Sequence, residues 1–257
     1  MKISVITVSY NSADTIADTI NSVAKQTHRD VEHLVIDGLS TDRTIEIVEK
    51  CDHPNLVLSS EPDQGIYDAM NKGLTRASGE VIGFLNADDI YADAEALARI
   101  ARTFENNPQI EACFGDLVYV TRDNINVVRY WKSEPFQNGF FARGWAPAHP
   151  TFYIRRSALN RLGQFDHSYR LAADAEFMMR YLECGGIKSV YIPYVQVRMR
   201  IGGVSNQSWR NILRQNQEIL QAFKKNKVHY YLPLFIIHKL INRIWQRFAG
   251  SNKVEQM

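Results

Sequence analysis

Val81-Ile82-Gly83-Phe84-Leu85-Asn86-Ala87-Asp88-Asp89 decides how this chain is read: an apolar run ends in an amide and two carboxylates. Strand interiors disfavour carboxylates, so an Asp pair where a strand stops marks an edge rather than packing. In open α/β sheets the ligand crevice lies beyond the carboxyl ends of the strands. A carboxylate held there suits Mg²⁺ or Mn²⁺, hard cations that take oxygen ligands and share them with phosphates. Asp-Asp also serves as a turn or helix cap, so this stretch alone leaves both readings open.

Working outward, the same punctuation repeats. Ile3 to Ser9 is β-branched and apolar and breaks at Tyr10-Asn11-Ser12; Ile16, Ile20 and Val23 follow at helical spacing. His33 to Ile36 is a second strand, ended by Asp37-Gly38, and 40–50 the next helix, with Ser40 or Thr41 available as its cap. Residues 55–59 and 81–85 read as strands around a helix over 65–77. This alternation predicts a doubly wound, mostly parallel α/β sheet flanked by helices. After Asp93 the pattern loosens into a helix over 94–104, a strand at 111–114, a hairpin over 117–131 and an aromatic stretch over 136–145. Helices over 157–162 and 174–183 and a strand over 189–192 complete it. The expected division is a domain over 1–206, with a nucleotide-binding half at 1–93 and an acceptor-binding half at 94–206, then a basic amphipathic helical tail over 207–257.

Charge separates the tail from the body. The formal charge is +2, yet residues from Ser205 onward carry Arg210, Arg214, Lys224, Lys225, Lys227, Lys239, Arg243, Arg247 and Lys253 against Glu218 and Glu255. The tail is therefore basic by seven charges and the body acidic by five. Trp209, Ile212, Leu213, Leu220 and Phe223 form one apolar stripe; Ile237, Leu240, Ile241, Ile244, Trp245 and Phe248 form another. Basic residues set against such a stripe are the composition of a helix lying on an anionic membrane surface, and equally of a helix packed on its own body. Cys51, Cys113 and Cys184 have neither metal-ligand spacing nor a disulfide framework. The chain enters a strand at once, leaving no signal peptide, and no apolar run reaches the roughly 18–20 residues of a membrane span. A cytoplasmic location is expected, peripheral at the inner membrane face if the tail binds lipid.

A doubly wound sheet commonly binds a nucleotide, so the phosphate device matters. The first strand does not continue into G-x-G-x-x-G, and no G-x-x-x-x-G-K-[ST] occurs. Handling of pyrophosphate by a carboxylate-bound metal remains, which leaves glycosyl or nucleotidyl transfer. In order along the chain come Thr7-Val8-Ser9-Tyr10-Asn11, Val35-Ile36-Asp37-Gly38-Leu39-Ser40-Thr41-Asp42, Ser60-Glu61-Pro62-Asp63-Gln64-Gly65-Ile66-Tyr67-Asp68-Ala69-Met70-Asn71-Lys72-Gly73 and Asn86-Ala87-Asp88-Asp89. Ala148-His149-Pro150-Thr151-Phe152-Tyr153, Phe165-Asp166, Tyr169-Arg170-Leu171-Ala172-Ala173-Asp174 and Gly202-Gly203-Val204-Ser205-Asn206 follow. The ordered set resembles the inverting family 2 glycosyltransferases of the GT-A fold, and within them the bacterial branch that builds O-antigen, capsule and colanic-acid-type polysaccharides.

That resemblance implies a nucleoside-diphosphate-sugar donor (UDP-, GDP- or dTDP-linked), a saccharide or lipid-linked saccharide acceptor, a Mg²⁺ or Mn²⁺ cofactor and no nucleic-acid partner. It places Thr7, Tyr10 and Asn11 at the nucleotide, Tyr10 against the base. Asp37 falls where the family reads the base; a carboxylate only accepts hydrogen bonds, which suits the imino N–H of uracil, thymine or guanine. Asp63 and Lys72 fit its nucleotide and phosphate side. Asn86 and Asp88 stand where the family often has Asp-x-Asp, so Asp88 is the metal ligand implied and Asn86 an amide in place of the first carboxylate. Asp174 stands at the family's general base, with Glu176 two residues on as a rival. His149 and Arg200 fall on the acceptor or diphosphate side, Arg200 beside the Gly202-Gly203 hinge of a lid. Two other readings share this pocket: a catalytically degenerate sugar-nucleotide-binding protein, favoured by Asn86 and Ala173, and a metal-dependent nucleotidyltransferase.

Overall fold

In chain order the elements are β1 (Ile3–Ser9), α1 (Ile16–Ala24), β2 (Val31–Asp37), α2 (Thr44–Glu49), β3 (Leu56–Ser60), α3 (Ile66–Arg76), β4 (Val81–Phe84), β5 (Asp89–Tyr91) and α4 (Ala96–Asn106). β6 (Ala112–Val120), β7 (Val127–Trp131), β8 (Tyr153–Arg155), α5 (Arg156–Leu162), α6 (Ala173–Met179), β9 (Ser189–Arg200) and α7 (Trp209–Lys225) follow. This computed structural model describes residues 1–202, 209–239 and 241; Gly203 to Asn206, Leu240, Arg243, Ile244, Trp245, Arg247, Phe248, Lys253 and Glu255, used in the sequence reading, lie outside them.

Every residue of β1 is buried, as a strand covered on both faces requires. It pairs in parallel with β2 and with β4, and β2 pairs in parallel with β3. The sheet runs β3-β2-β1-β4-β8-β6-β9-β5, with β7 on β6. β8 is antiparallel to β4 and β6, β5 is antiparallel to β9, and β6 and β9 are parallel. The result is the mixed, mostly parallel α/β sheet that the sequence pattern predicts.

Alternation along the strands divides the core. Ile6, Val8, Ile82 and Phe84 face a cluster that includes Met70 and Leu74 of α3, Phe177 of α6 and Phe223 of α7. Ile3, Val5, Val81 and Leu85 face Leu97, Ile100 and Phe104 of α4. Because β1, β2, β3 and β4 are parallel and in register, with Ser9 beside Asp37 and Asp37 beside Ser60, their exits fall on one edge. Tyr10, Gly38, the 61–65 loop and Asn86-Ala87-Asp88 are thereby gathered from four separate stretches of sequence.

The structure departs from expectation where tertiary pairing decides. β9 runs on from Ser189 to Arg200, through Pro193, where the pattern predicts a stop at 192. The pairing of β9 with β6 passes from Ile192–Gly115 to Val195–Asp116, so Pro193 and Tyr194 form a bulge and Pro193 owes the ladder no N–H. Neither Ser40 nor Thr41 caps α2; Asp42 accepts from the Thr44 N–H at 3.0 Å and Ser40 turns to Asp37. The C-terminal half of α7 packs on the body through the fully buried Phe223, with Leu220 partly buried beside it, while Leu213 of the same stripe is exposed. Glu218 of α7 accepts the backbone N–H groups of Leu171 and Ala172 at 2.7 and 3.0 Å. A further helical stretch over 232–239 is seated by Phe235, which packs edge-on against Phe223 at 5.4 Å. No described helix is long and apolar enough to cross a membrane.

Candidate active site

At the ends of β1 and β2 the side chains are wired together before any ligand arrives. Asp37 is 1% exposed, and its carboxylate accepts from Ser9 Oγ (3.0 Å), Ser40 Oγ (2.5 Å), the Ser40 N–H (2.9 Å) and Ser60 Oγ (2.8 Å). A carboxylate offers about four lone-pair positions, so protein donors fill them all. The residue expected to read the base also ties three strand ends together. Asn11 does the same for the two flanking loops. It takes a left-handed backbone (φ 49°), accepts the Thr41 N–H at 2.9 Å and donates its own N–H to Ser40 Oγ at 2.8 Å. Thr7, expected at the nucleotide, is wholly buried and bonded to the His33 ring at 2.9 Å. Burial and the neighbouring His53 push His33 down to about 3, so this partner is a neutral ring. Tyr10 remains free of the interior, 63% exposed, as a flat apolar surface at the sheet's edge.

Lys72 does not stand out toward a phosphate. Its Nζ donates to the Pro62 carbonyl and lies 3.3 Å from Asp68, which fixes the loop carrying Asp63. Asp63 accepts the Gly65 N–H at 2.8 Å through Oδ1. Gly65 holds φ 122°, a conformation that favours glycine.

At the exit of β4, Asn86 donates from Nδ2 to Asp89 Oδ2 at 3.0 Å. Asp89 is wholly buried and its Oδ1 has no partner among the described residues. Burial and the adjacent Asp88 push the Asp89 carboxyl well above the usual range; burial raises Asp88 less, against the pull of Arg200. Arg200, expected at the diphosphate, is turned inward. It donates to the carbonyls of Asp88 and Arg122, each at 3.0 Å, and pairs with Asp18 at 2.5 Å. It braces the Asp88 turn from behind. Among the described residues no three His, Cys, Asp or Glu side chains gather as a ready-made metal cage. A cation that takes one or two carboxylates and completes its shell with water and substrate phosphate needs no such cage. Asp88, partly exposed beside an unsatisfied buried carboxyl, fits that role.

The third group comes from α6 and the turn before β8. Asp174 lies in the first turn of α6, partly exposed, and accepts from the Tyr67 hydroxyl at 3.1 Å. Tyr67 is buried against Phe165 at 5.7 Å; burial first, then the Asp174 charge, raises its phenol. His149 stacks on Phe84 at 5.2 Å, two residues before Asn86, and meets Phe165 edge-on at 5.7 Å. Its Nε2 is buried without a partner among the described residues. Burial lowers its pKa, and the Asp174 charge works in the opposite direction. Glu176, the rival of Asp174, points the other way. It is 0% exposed and holds Arg180 at 3.0 Å and Asn226 at 3.1 Å, so it pins α6 to the chain after α7. It has no surface to offer an acceptor. Sequence reasoning gives Tyr67 and Phe165 no role of their own; the available signal was that Tyr67 sits inside the Gly65-to-Gly73 motif and Phe165 in the Phe165-Asp166 stretch of the resemblance.

A family profile described as Glycosyl transferase family 2 matches residues 4–164. A "PGL/p-HBAD biosynthesis glycosyltransferase" of Mycobacterium tuberculosis is 30% identical over 208 residues, 79% of this chain and 78% of that protein. An uncharacterised glycosyltransferase of the same organism is 31% identical over 180 residues, 69% of this chain and 68% of its own length. Among solved structures, S. aureus TarS 1–349 in complex with UDP-GlcNAc aligns with a TM-score of 0.69 at 21% identity, covering 100% of this chain and 77% of that one. The mannosyltransferase PcManGT from Pyrobaculum calidifontis, in complex with GDP-Man and Mn²⁺, aligns at 0.65 and 21% identity, covering 100% of this chain and 76% of that one. At those identities the two structures speak for the fold.

Proposed function

We propose, from the premise that this chain belongs to glycosyl transferase family 2 and is a glycosyltransferase of nucleotide-sugars, that it moves a sugar to an acceptor hydroxyl with inversion at the anomeric carbon. The observation that carries this reading is the convergence of Tyr10, Asp88, His149 and Asp174 from four separate segments toward one sheet edge. Tyr10 lies under the nucleobase. Asp88 would hold Mg²⁺ or Mn²⁺ with the donor's diphosphate, and the cation supplies compensation for charge that develops on the departing diphosphate. Asp174 takes the proton of the attacking hydroxyl as general base. Tyr67 holds that carboxylate in place, and His149, whose buried Nε2 has no partner among the described residues, lines the floor beside it. Residues 1–93 serve the donor and 94–206 the acceptor. Asn86 and Ala173, the grounds for a degenerate binder, leave Asp88 and Asp174 in position. A nucleotidyltransferase would fall outside this family.

Inversion is tested with water as acceptor. The full chain with Mn²⁺ and UDP-GlcNAc or GDP-Man, both α-linked, is expected to release sugar whose first ¹H NMR anomeric signal is β. An α signal appearing first overturns inversion.

For the pathway, the motif resemblance points to O-antigen, capsule or exopolysaccharide assembly, and the mycobacterial relatives are named for PGL/p-HBAD biosynthesis. Both readings place the acceptor on or near a lipid. The tail supports membrane contact: Leu232, Leu234, Ile236, Ile237 and Ile241 are all exposed, an outward apolar face beside basic sequence. The full chain is expected to co-sediment with phosphatidylglycerol vesicles and to be released by Ile236→Asp combined with Ile237→Asp. Co-sedimentation that survives the double substitution overturns membrane contact through this face.

A further inference from the structure

Gly144 is where the tail meets the acceptor half. Its backbone is left-handed (φ 71°), and a Cβ built on it would lie 3.0 Å from Lys239 Cβ, 3.2 Å from Lys239 Cα and 3.3 Å from the Lys239 nitrogen. The helical stretch over 232–239 therefore rests with its backbone against the aromatic loop over 136–145. We infer that this loop and this helix form one latch, so that an anionic bilayer gripping the outer face of the helix settles the acceptor side of the site. The inference rests on the membrane and acceptor readings above and adds the route that joins them.

Three observations support it. First, the helix has two faces with different surroundings. Inward, Phe235 is buried, packs edge-on against Phe223, and shares one core cluster with Phe141 of the loop, against which Phe136 and Trp145 also pack. One turn on, Lys239 Nζ donates to Asn216 Oδ1 of α7 at 2.6 Å. Outward, Leu232, Leu234, Ile236, Ile237 and Ile241 are exposed, on a tail whose basic excess complements anionic lipid. Second, the seat is slight. A helix of this length is not stable alone in water, and within 232–239 Phe235 alone is buried. Its population depends on what covers it, the body on one side and lipid on the other, and whatever binds the seated form stabilises it. Third, the loop leads into the site. Its first part is held by Glu183, which accepts the Gly139 N–H, and its last part lies against the tail at Gly144. The chain then runs through Trp145, edge-on to Phe114 at 5.8 Å, into His149, which feels the Asp174 charge. A helix settled on Gly144 fixes the end of the loop nearest the reacting groups.

The experiment is hydrogen–deuterium exchange by mass spectrometry on the full chain, with and without phosphatidylglycerol vesicles, with co-sedimentation measured on the same samples. Vesicles are expected to slow exchange over 136–145 by about fivefold or more, the lower end of ordinary coupling between two sites. Exchange in α4, on the other face of the sheet, is expected to stay unchanged. Phe235→Ala removes the seat of the helix. Gly144→Asn keeps a residue that tolerates the left-handed backbone and puts a side chain where Lys239 lies. Both variants are expected to co-sediment as wild type does, since the outer face is intact, and to lose the slowing at 136–145. Slowing that persists in both overturns the inference, as does equal slowing in α4. Slowing that grows with protein concentration in the absence of vesicles marks a second copy on this face and overturns it too. Wild type that co-sediments with its loop unchanged overturns the inference alone; wild type that does not co-sediment overturns the membrane reading as well.

Discussion

Asp174→Asn is expected to slow sugar transfer by about 10²–10⁴-fold, the range that a positioned general base contributes. Nucleotide affinity and melting temperature are expected to stay at wild-type values. The substitution is nearly isosteric, and the Tyr67 hydroxyl that donates to Asp174 Oδ1 at 3.1 Å can donate to an amide oxygen equally well. Only the capacity to take a proton is removed. Single-turnover transfer, with UDP or GDP titration and a melting curve on the same preparation, separates a lost base from a lost fold. The structure also reorders what retained turnover would mean. Sequence reasoning makes Glu176 the next base in line, but its oxygens serve Arg180 and Asn226 in the interior. The next titratable side chain beside Asp174 is His149, whose Nε2 has no partner among the described residues and whose pKa burial lowers. Retained turnover in Asp174→Asn that disappears in Asp174→Asn with His149→Ala would move the base there.

The scaffold was legible because its strands announce themselves. Runs such as Ile3 to Ser9 and Val81 to Leu85 are buried on both faces, so their composition alone gives position, and turn residues give their ends. Alternation along β1 was a further signal left unused. Thr7 shares the parity of Ile3 and Val5, which face the α4 side, so it belongs to the interior rather than to the nucleotide. Glu176 and Arg180 stand four apart on a helix, the spacing of an ion pair, and that pair withdraws Glu176 from the site. What the sequence could not carry were contacts between distant segments. Ser9, Ser40 and Ser60 converge on Asp37 only because three strands end in register, and Arg200 reaches Asp88 across 112 positions. A motif fixes which residues are near the edge; the hydrogen bonds already made decide which of them still have an atom to offer.

Asp88→Asn is the second large effect expected, a loss of about 10²-fold or more in transfer, several kcal/mol of compensation for leaving-group charge at about 1.4 kcal/mol per tenfold. The adjacent carboxyls have divided their roles before any cation enters. Two neighbouring carboxylates do not ionise with equal ease, and burial disfavours the charged form of the more enclosed one. Asp89 is that one: it is wholly enclosed, its pKa is driven up by burial and by Asp88, and Asn86 already donates to it. Asp88 is partly exposed, and Arg200 both fastens its backbone and favours its charge. Of the two, Asp88 is the carboxylate open to the proposed cation, and Asn at position 86 supports the pair as a donor where a third carboxylate would add repulsion. Mn²⁺ binding followed by electron paramagnetic resonance in the presence of UDP reads this without any turnover. Asp88→Asn is expected to weaken Mn²⁺ retention, while Asp89→Asn leaves retention in place and lowers the melting temperature. Mn²⁺ retention lost in Asp89→Asn and kept in Asp88→Asn would exchange the two roles.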